Sequence, residues 1–571
     1  MPKIKPHSPH EYAVSEKGAI HKAWANLTRI ALVYPNTYTV GMSNLGFQSV
    51  YEQLNQFDNV VCERFFLPDD VTKSNMLRSV ENRRKLNEFD LVAFSISFEN
   101  DYVHLLQILS LAGIPLFFKD RGGAYPLIMA GGIASMLNPE PIADFMDFFL
   151  IGEADGILAK FMRYLDVKKD KASLLQTLAE QVEGIYIPAF YTVTYDNENR
   201  VIGFEPKDST IPAKIERQIV PQKDMKCATS VILTPHTLFA NTYLMEVGKG
   251  CSHGCRFCSA GFVYRPPRFH SKDTLQEKFT EGIDRTSHIG LVGASVSDHP
   301  DISGLLEGKP EGLQVSFSSI RADNLRPLWV QNLTQSRVKT VAIAPDAGSQ
   351  RLRNVINKGL TETDIVNATK QLVRAGILNI KLYFMIGLPT ETADDIDELV
   401  ELTKKVKDVF LEESRKRGKI GEIIVSISSF VPKPWTPFQW CAMDKERALK
   451  EKLKKIRTQL KPIANVKVHS DPVPASILQD ILARGNRRVC AILLALYEKR
   501  PLASIMKEFS SEIKCLYKNQ PENTLFPWDM ITGGATKSFL WQEYQCALAE
   551  RISPICPMTL TCDRCGACAL V

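Results

Sequence analysis

Short apolar runs alternate with helical patterns through the first part of the chain. The runs lie at residues 29–34, 90–97, 115–118, 126–130 and 148–151. Between them, residues 46–57 and 102–112 place apolar side chains at the three- and four-residue spacing of an amphipathic helix. Strands that alternate with helices predict βαβ units on a parallel sheet that is covered on both faces. We therefore expect an α/β domain of the flavodoxin-like or Rossmann type over residues 1–165.

The same alternation returns in the middle of the chain. Helical patterns such as residues 361–375 and 393–410 separate strand-like runs at 242–247, 289–294, 313–320, 340–344, 380–386 and 423–428. About six such units predict an open or partial (β/α)6 barrel over residues 241–440. Polar and glycine-rich clusters follow the runs, where the carboxyl ends of barrel strands carry active sites.

Two further stretches complete the predicted organisation. Residues 166–240 form a connector, within which residues 185–201 alternate aromatic and polar side chains and predict a small hairpin or sheet addition. Residues 441–571 are expected to form a mainly helical domain with a cysteine-rich tail. Alternating charges over residues 444–461 indicate a solvated amphipathic helix rather than a basic surface for nucleic acid.

Three cysteines lie close together before the second strand of the central region. Cys251, Cys255 and Cys258 are separated by four and three positions, with glycines on both sides. Cysteine thiolates ligate iron–sulfur clusters, and three of them can hold three irons of a cubane and leave the fourth open. An open position distinguishes a site that binds substrate from one that only stabilises a fold.

This motif, with Phe257 before its last cysteine, resembles the signature of radical S-adenosylmethionine enzymes. The resemblance implies a [4Fe–4S] cluster whose open iron binds S-adenosylmethionine and whose electron cleaves it to a 5′-deoxyadenosyl radical. It also implies roles in binding S-adenosylmethionine for Phe257, Ser295, Ser297, Ser318, Arg321, Asp346, Gly348 and Gly387. The Gly-Gly-Glu motif common in the family is missing, so Ser295, Ser297 and Asp298 are candidates for the amino group. Arg321 and Asp346 have the alternative of a structural ion pair.

Residues 250–268 are similar to a narrower subgroup that carries a cobalamin-binding-like domain in front of the radical domain. That resemblance implies cobalamin contacts at the strand ends of the first domain: Asn36, Ser95, Ser97, Gly131, Gly132 and Glu153. The Asp-x-His-x-x-Gly motif that gives cobalt a histidine is absent, because residues 36–41 occupy its place. A cobalamin-like fold that binds no corrinoid is the alternative.

Four more cysteines lie in the tail, at Cys556, Cys562, Cys565 and Cys568. Four thiolates at this spacing suit a second iron–sulfur cluster or a structural zinc, and free thiols are a third possibility. The Cys-x2-Cys-x2-Cys core is closer to the spacing of ferredoxins.

Composition narrows the class of protein further. The chain has 571 residues, 44% hydrophobic and 23% charged, with a formal charge of +6, which neither requires nor excludes an acidic partner. Thirteen cysteines favour metal or redox chemistry over a disulfide framework. Without the pattern of a signal peptide or a membrane span, a cytoplasmic enzyme is expected.

The resemblance therefore implies a radical enzyme that acts with cobalamin to methylate or otherwise modify an unactivated carbon. It would need a reductant such as flavodoxin or ferredoxin, and its substrate cannot be read from the sequence. The alternatives are a cobalamin-independent rearrangement or cleavage, a methylthiotransferase that acts on RNA or protein, and a non-catalytic iron–sulfur redox or sensor protein. A methylthiotransferase is disfavoured because residues 1–226 contain only Cys62.

Overall fold

The computed structural model describes residues 9–69, 77–559 and 561–570, which fall into two compact units. The amino-terminal unit comprises Met1–Tyr243, Ile481–Cys515 and Asn523–Gly533. The central unit comprises Leu244–Asp480, Leu516–Glu522 and Gly534–Val571. The stretch expected to form a separate helical domain is thus divided between the two units, and the expected connector belongs to the amino-terminal unit.

The amino-terminal unit is built on a six-stranded sheet of order β2-β1-β3-β4-β5-β6. The first five strands pair in parallel and β6 pairs antiparallel with β5. This order is that of flavodoxin-like sheets, which confirms the expected α/β fold. The strands of this part of the chain are β1 (Thr28–Tyr34), β2 (Val60–Phe66), β3 (Leu91–Ser95), β4 (Leu127–Gly131), β5 (Phe148–Leu150), β6 (Ile185–Tyr186), β7 (Tyr191–Tyr195), β8 (Val201–Pro206) and β9 (Ile215–Glu216).

Helices connect the parallel strands, and the hairpin expected after residue 185 forms from β7 and β8. Helix boundaries follow the sequence signals, since Asn44 accepts a hydrogen bond from the amide of Phe47 at the start of the third helix. The helices are α1 (Pro9–Ser15), α2 (Tyr38–Gly41), α3 (Leu45–Gln56), α4 (Tyr102–Leu111), α5 (Ile133–Leu137), α6 (Ala154–Tyr164) and α7 (Lys171–Gln181).

Two details of this sheet differ from the sequence-based expectation. Residues 115–118 form no strand, and a short 3-10 helix, Phe118–Asp120, follows them instead. A strand that the pattern missed, β2, pairs with β1 and is buried along its whole length. Its Arg64 is fully buried and paired with Glu16 and Glu81 at 2.7 and 2.6 Å. Buried charge of this kind is compatible with a core strand because it is fully paired.

The central unit contains all six of the expected strands and three more. Seven of the nine form a three-stranded sheet, β10-β13-β14, and a four-stranded sheet, β15-β16-β17-β18, in which neighbouring strands are parallel. The other two, β11 and β12, pair antiparallel with each other. In the part of the chain that the structure describes, no ladder joins β14 to β15. The strands are β10 (Tyr243–Glu246), β11 (Gly248–Lys249), β12 (Arg268–Phe269), β13 (His288–Val292), β14 (Gln314–Phe317), β15 (Thr340–Asp346), β16 (Asn379–Ile386), β17 (Ile423–Ser429) and β18 (Val466–Ser470).

Helices separate these strands, as βα units require. The helices are α8 (Ala260–Val263), α9 (Lys272–Arg285), α10 (Ile302–Glu307), α11 (Pro327–Gln335), α12 (Gln350–Val355), α13 (Glu362–Ala375), α14 (Ala393–Lys416) and α15 (Glu446–Leu460). Capping boxes at Thr361 and Thr392 start α13 and α14.

The elements that follow β18 belong partly to the amino-terminal unit and partly to the central unit. The unit boundary falls within α16 (Val473–Arg484), and α17 (Cys490–Tyr497), α18 (Leu502–Glu508) and α19 (Ser510–Ile513) belong to the amino-terminal unit. A last strand, β19 (Ile531–Thr532), pairs with β9 of the same unit, whereas α20 (Lys537–Leu548) belongs to the central unit. Among the described residues, no helix combines the length and the apolarity that crossing a lipid bilayer requires.

Candidate active site

The three motif cysteines lie on one loop between β11 and α8 of the central unit. Cys255 is buried and Cys251 and Cys258 are half-buried. The loop begins at Gly250, whose φ of +80° and whose approach to the carbonyl of Tyr264 leave no room for a side chain. Burial, reinforced by the neighbouring thiols of Cys255 and Cys258, raises the pKa of Cys251 to about 12. The three thiols therefore lie within electrostatic reach of one another.

A buried arginine inside the motif fixes this loop. The guanidinium of Arg256 donates to the carbonyls of Asn354 and Val355 at 3.1 and 2.9 Å, at the end of α12. It also donates to the carboxylate of Glu543 at 3.2 Å and to the hydroxyl of Ser553 at 2.9 Å. Burial lowers the pKa of Arg256, and the carboxylate of Glu543 opposes that shift. Sequence reasoning missed this anchor because its partners lie far along the chain.

A buried lysine and aspartate lie next to Cys255. The ammonium of Lys358 donates to the carboxylate of Asp346 at 2.6 Å. Burial raises the pKa of Asp346, and Lys358 opposes that shift. Asp346 also has a φ of +61°, a left-handed conformation that non-glycine residues seldom adopt and that recurs at functional sites. Sequence reasoning proposed Asp346 and missed Lys358, which follows the turn after α12.

Arg321 completes the charged group around Cys255. Burial raises the pKa of the Cys255 thiol, whereas the positive charges of Lys358 and Arg321 oppose that rise. The guanidinium of Arg321 donates to Asp323 at 2.9 and 3.0 Å and to the carbonyl of Lys358 at 3.1 Å. The structural ion pair that the sequence left open as an alternative for Arg321 is therefore present, and the same cation also acts on the motif thiol.

A histidine of the motif loop pairs with an aspartate after β13. The imidazole Nε2 of His253 lies 2.8 Å from the carboxylate of Asp298. Although burial favours the neutral acid, the hydrogen bond from His253 holds the pKa of Asp298 below its ordinary value. The hydroxyl of Ser297 accepts a weak hydrogen bond, 3.4 Å, from the amide of Arg321. The residues proposed from the sequence after β13 therefore lie beside the cysteine loop and the arginine.

Other proposed residues have local structural contacts. The exposed hydroxyl of Ser318 donates to the carbonyl of Gly293 at 2.9 Å, and Phe257 is half-buried in the cysteine loop. A Cβ at Gly348 would lie 2.3 Å from the backbone of Leu399 in α14. Gly387 has a φ of +80° and packs against α15. Close packing alone therefore requires glycine at positions 348 and 387, independently of any contact with S-adenosylmethionine.

In the amino-terminal unit, polar side chains lie at the carboxyl ends of β1 and β3. The amide of Asn36 donates to Asp101 at 2.8 Å, and Asn44 donates to Ser97 at 3.0 Å. His104, which the sequence analysis did not propose, contacts Asp101 at 3.3 Å, and this carboxylate raises the pKa of the imidazole. Ser95 and Gly131 are register partners on β3 and β4 at the same edge.

Two of the proposed cobalamin-like positions have clear structural functions. Glu153 accepts a hydrogen bond from the amide of Val220 at 3.2 Å, in the segment after β9. Gly132 has a φ of +95°, and a Cβ there would lie 2.6 Å from the carbonyl oxygen of Ile96. The glycine is therefore needed for the approach of two backbone segments, independently of any ligand.

The four tail cysteines also come together. Cys556, Cys565 and Cys568 are buried and Cys562 is half-buried. Burial raises the pKa of Cys568, and the thiols of Cys565, Cys556 and Cys562 raise it further. In the described part of the chain, no three His, Cys, Asp or Glu side chains are arranged as ligands of one metal ion, at the motif or in the tail.

Comparison with known proteins is consistent with this arrangement. The family model described as "Radical SAM proteins, N-terminal" matches residues 46–188, and that of the "Radical SAM superfamily" matches residues 245–403. An uncharacterized protein of Methanocaldococcus jannaschii is 31% identical over 487 residues, which cover 84% of this chain and 93% of the relative.

Two other proteins are similar over less of their length or at lower identity. An uncharacterized methyltransferase of Pyrococcus horikoshii is 26% identical over 176 residues, covering 28% of this chain and 37% of that protein. The solved structure of the cobalamin-dependent S-adenosylmethionine radical enzyme OxsB is 16% identical and covers 66% of this chain and 51% of its own, with a TM-score of 0.43. This score lies below the level at which a shared fold can be argued.

The chain belongs to the radical S-adenosylmethionine superfamily. It is an enzyme of that class, and membership implies S-adenosylmethionine and a [4Fe–4S] cluster. The donor set fits such a cluster, since three thiols on one loop lie within electrostatic reach of one another and two cations lie beside one of them. Those cations would offset the negative charge of the thiolates.

Proposed function

We propose that Cys251, Cys255 and Cys258 hold a [4Fe–4S] cluster at which the chain reductively cleaves S-adenosylmethionine, and that with cobalamin it methylates an unactivated carbon. When bound, the cluster supplies one electron, and S-adenosylmethionine is split into methionine and a 5′-deoxyadenosyl radical. The electron comes from a low-potential carrier such as flavodoxin or ferredoxin. We place this reaction in the cytoplasm, where thiols stay reduced.

The observation that carries the proposal is the charged group beside Cys255. A ligand with a carboxylate and two ribose hydroxyls needs at least one cation and one hydrogen-bond acceptor, and the site offers both within one cluster of residues. Lys358 and Arg321 provide the cations, and their charge reaches the Cys255 thiol. Asp346 provides the carboxylate, held by Lys358 at 2.6 Å.

The chain's own residues then have distinct tasks. Arg321 and Lys358 bind the methionyl carboxylate, and Asp346 accepts hydrogen bonds from the ribose hydroxyls. Asp298 stays ionised because its pKa is held low, so it is suited to accept hydrogen bonds from the amino group. His253 orients that carboxylate from the motif loop at 2.8 Å. Arg256 holds the loop in place from behind.

Cobalamin is supported by the amino-terminal unit considered alone. Its parallel sheet has the flavodoxin-like order, and ligands of such sheets bind at the carboxyl ends of the strands. At that edge, Asn36, Ser97, Asp101 and His104 form a polar surface that fits the amide side chains of a corrinoid. When bound, cobalamin would supply a methyl group for transfer, and the resemblance of 176 residues of the chain to an uncharacterized methyltransferase supports that use.

The test uses the full chain, purified without oxygen and reconstituted with iron and sulfide. With dithionite and S-adenosylmethionine, we expect 5′-deoxyadenosine and methionine in equal amounts. A variant with Cys251, Cys255 and Cys258 replaced by alanine should form neither product. The matched control is Cys515→Ala, which removes a half-buried cysteine of the amino-terminal unit and should retain full cleavage. Absence of both products from the wild-type protein would refute the proposal.

Cobalamin is tested separately, by the absorption bands of corrinoid retained after gel filtration. Failure to bind corrinoid, with cleavage intact, would favour a cobalamin-independent rearrangement or bond cleavage. A methylthiotransferase is not favoured, because residues 1–226 have a single cysteine, Cys62, which forms part of buried strand β2. Membership of a superfamily of enzymes does not support the alternative of a purely non-catalytic sensor.

A further inference from the structure

The carboxyl-terminal tail exposes large apolar side chains and buries cysteines. Ile552, Ile555 and Met558 are 67, 59 and 43% exposed, whereas Cys556, Cys565 and Cys568 are 9, 5 and 6% exposed. Regular structure after α20 is limited to the 3-10 turn Ala567–Leu570 within the described residues. A segment that exposes its large apolar side chains and buries its thiols lacks an ordinary apolar core.

Such segments are usually stabilised by a disulfide network or by a metal. None of the described cysteines forms a disulfide. Cys562, Cys565 and Cys568 lie within six positions of one another, and Cys556, Cys565 and Cys568 are all buried. Four cysteines in a segment without an apolar core supply the thiolates that an iron–sulfur cluster needs, and a cubane, whose four irons take one thiolate each, does not require three thiols around one metal ion.

The tail also docks directly onto the motif loop. The amide of Cys556 donates to the carbonyl of Ser252, the residue after Cys251, at 2.8 Å. Standard backbone dimensions then place the Cα atoms of Cys556 and Cys251 no more than about 10 Å apart. Three residues earlier, the amide of Ser553 donates to Asn357 at 2.9 Å, and Asn357 donates to the carbonyl of Gly254 at 3.1 Å.

A cation lies between the two groups of cysteines. The guanidinium of Arg265 donates to the carbonyl of Gly261, three residues after Cys258, at 2.6 Å. Its charge also reaches Cys568 in the tail. Aromatic rings of Phe262 and Phe539 flank it at 4.8 and 5.3 Å. A buried arginine at this place can offset negative charge on the tail thiolates while it is held by the loop that follows the motif.

We propose that Cys556, Cys562, Cys565 and Cys568 hold a second iron–sulfur cluster, seated against the loop that carries the motif cysteines. The spacing distinguishes it from zinc. Structural zinc sites usually combine two separated Cys-x2-Cys pairs, whereas three cysteines in consecutive Cys-x2-Cys steps, with one more thiol, are typical of ferredoxin-type clusters. The proposal concerns these four residues and does not depend on cleavage of S-adenosylmethionine.

The experiment separates the two centres in the full chain. In the variant that lacks Cys251, Cys255 and Cys258, the motif cannot hold iron, so any remaining cluster belongs to the tail. After anaerobic reconstitution, we expect about eight irons per wild-type chain and about four in this variant, with matching sulfide. The reduced variant should give an electron paramagnetic resonance spectrum that S-adenosylmethionine does not change. Cys515→Ala is the control for loss of an unrelated cysteine.

Further variants guard against a failure to fold. Cys562→Ser changes the half-buried thiol alone and is expected to alter the signal of the tail cluster while the motif cluster persists. Iron close to zero in the motif variant, with unchanged circular dichroism, would overturn the proposal, as would about one zinc per chain in its place. If the wild-type protein forms no 5′-deoxyadenosine but the motif variant still holds iron, the proposed function fails and the second cluster stands.

Discussion

The ammonium of Lys358 lies 2.6 Å from the carboxylate of Asp346, beside Cys255. Both side chains are largely buried, and Asp346 adopts a left-handed backbone conformation. Strain of this kind costs on the order of 1 kcal/mol or more and persists where the surrounding structure requires it. The charged side chains of the candidate site therefore cluster around this pair.

Replacement of Lys358 by methionine should weaken binding of S-adenosylmethionine. The change removes a cation and leaves the Asp346 carboxylate buried without this partner. We expect affinity to fall about tenfold or more, since hydrogen bonds to charged groups contribute about 1.5–3 kcal/mol. Equilibrium dialysis on reconstituted protein measures it. Lys405→Met, which removes an exposed ion pair with Glu362, is the matched control and should change nothing. Unchanged affinity with full iron content would make the Lys358 pair purely structural.

Loss of Arg256 should release the motif loop. Arg256→Ala removes six hydrogen bonds and leaves the Glu543 carboxylate without one of its cations. A broken buried pair costs about 3 kcal/mol. We expect a lower urea midpoint and reduced iron content after reconstitution. Arg447→Ala serves as the control, because Arg447 is 91% exposed in its pair with Glu451. An unchanged midpoint would show that the loop does not depend on this anchor.

The pair of Asp101 and His104 predicts a pH-dependent stability. The carboxylate raises the pKa of His104, so the charged imidazole stabilises the folded state. This contribution is fully present below about pH 6.5, the unfolded value, and is lost as pH rises through the folded pKa. Asp101→Asn should therefore be more destabilising at about pH 6 than at about pH 8.5. Chemical unfolding at both values measures the difference, and equal destabilisation would show that the pair does not titrate.

Gly132 tests whether a strand-end glycine serves the ligand or the backbone. Gly132→Ala places a Cβ 2.6 Å from the carbonyl of Ile96 at a φ of +95°. We expect a loss of at least about 2 kcal/mol, from the left-handed conformation and the contact together. Gly123→Ala, where a Cβ meets nothing within 4 Å, is the control for thermal unfolding. If only corrinoid retention changed and the melting temperature did not, the glycine would serve the ligand.

The apolar pattern predicted the central strands well because each is a short run rich in apolar residues that lies between helical patterns. It missed β2, since Glu63 and Arg64 interrupt the run and only the folded structure supplies the partners Glu16 and Glu81. It also missed β18, where polar residues alternate along Val466–Ser470. At 115–118 the apolar run forms no strand: residues 116 and 117 form a bend, and residue 118 begins a 3-10 helix.

Some residues of the candidate site were likewise indicated by the sequence, whereas others were found only in the structure. The spacing of the cysteines is a recognisable local pattern, and the resemblance to the radical S-adenosylmethionine family indicated Arg321 and Asp346. Three other residues contribute to the site through partners that are 12, 287 and 45 positions distant: Lys358, Arg256 and His253. No local spacing signals such pairs, because the fold alone brings the partners together.

The contact between Arg256 and Ser553 joins positions that are 297 residues apart. During synthesis at ~5–20 residues per second, about 15 to 60 s pass between the synthesis of Arg256 and that of Ser553. In that interval the nascent loop is on the ribosome without Glu543 or Ser553 behind it. Iron and sulfide can therefore meet an open loop first, and arrival of the late segment then closes it.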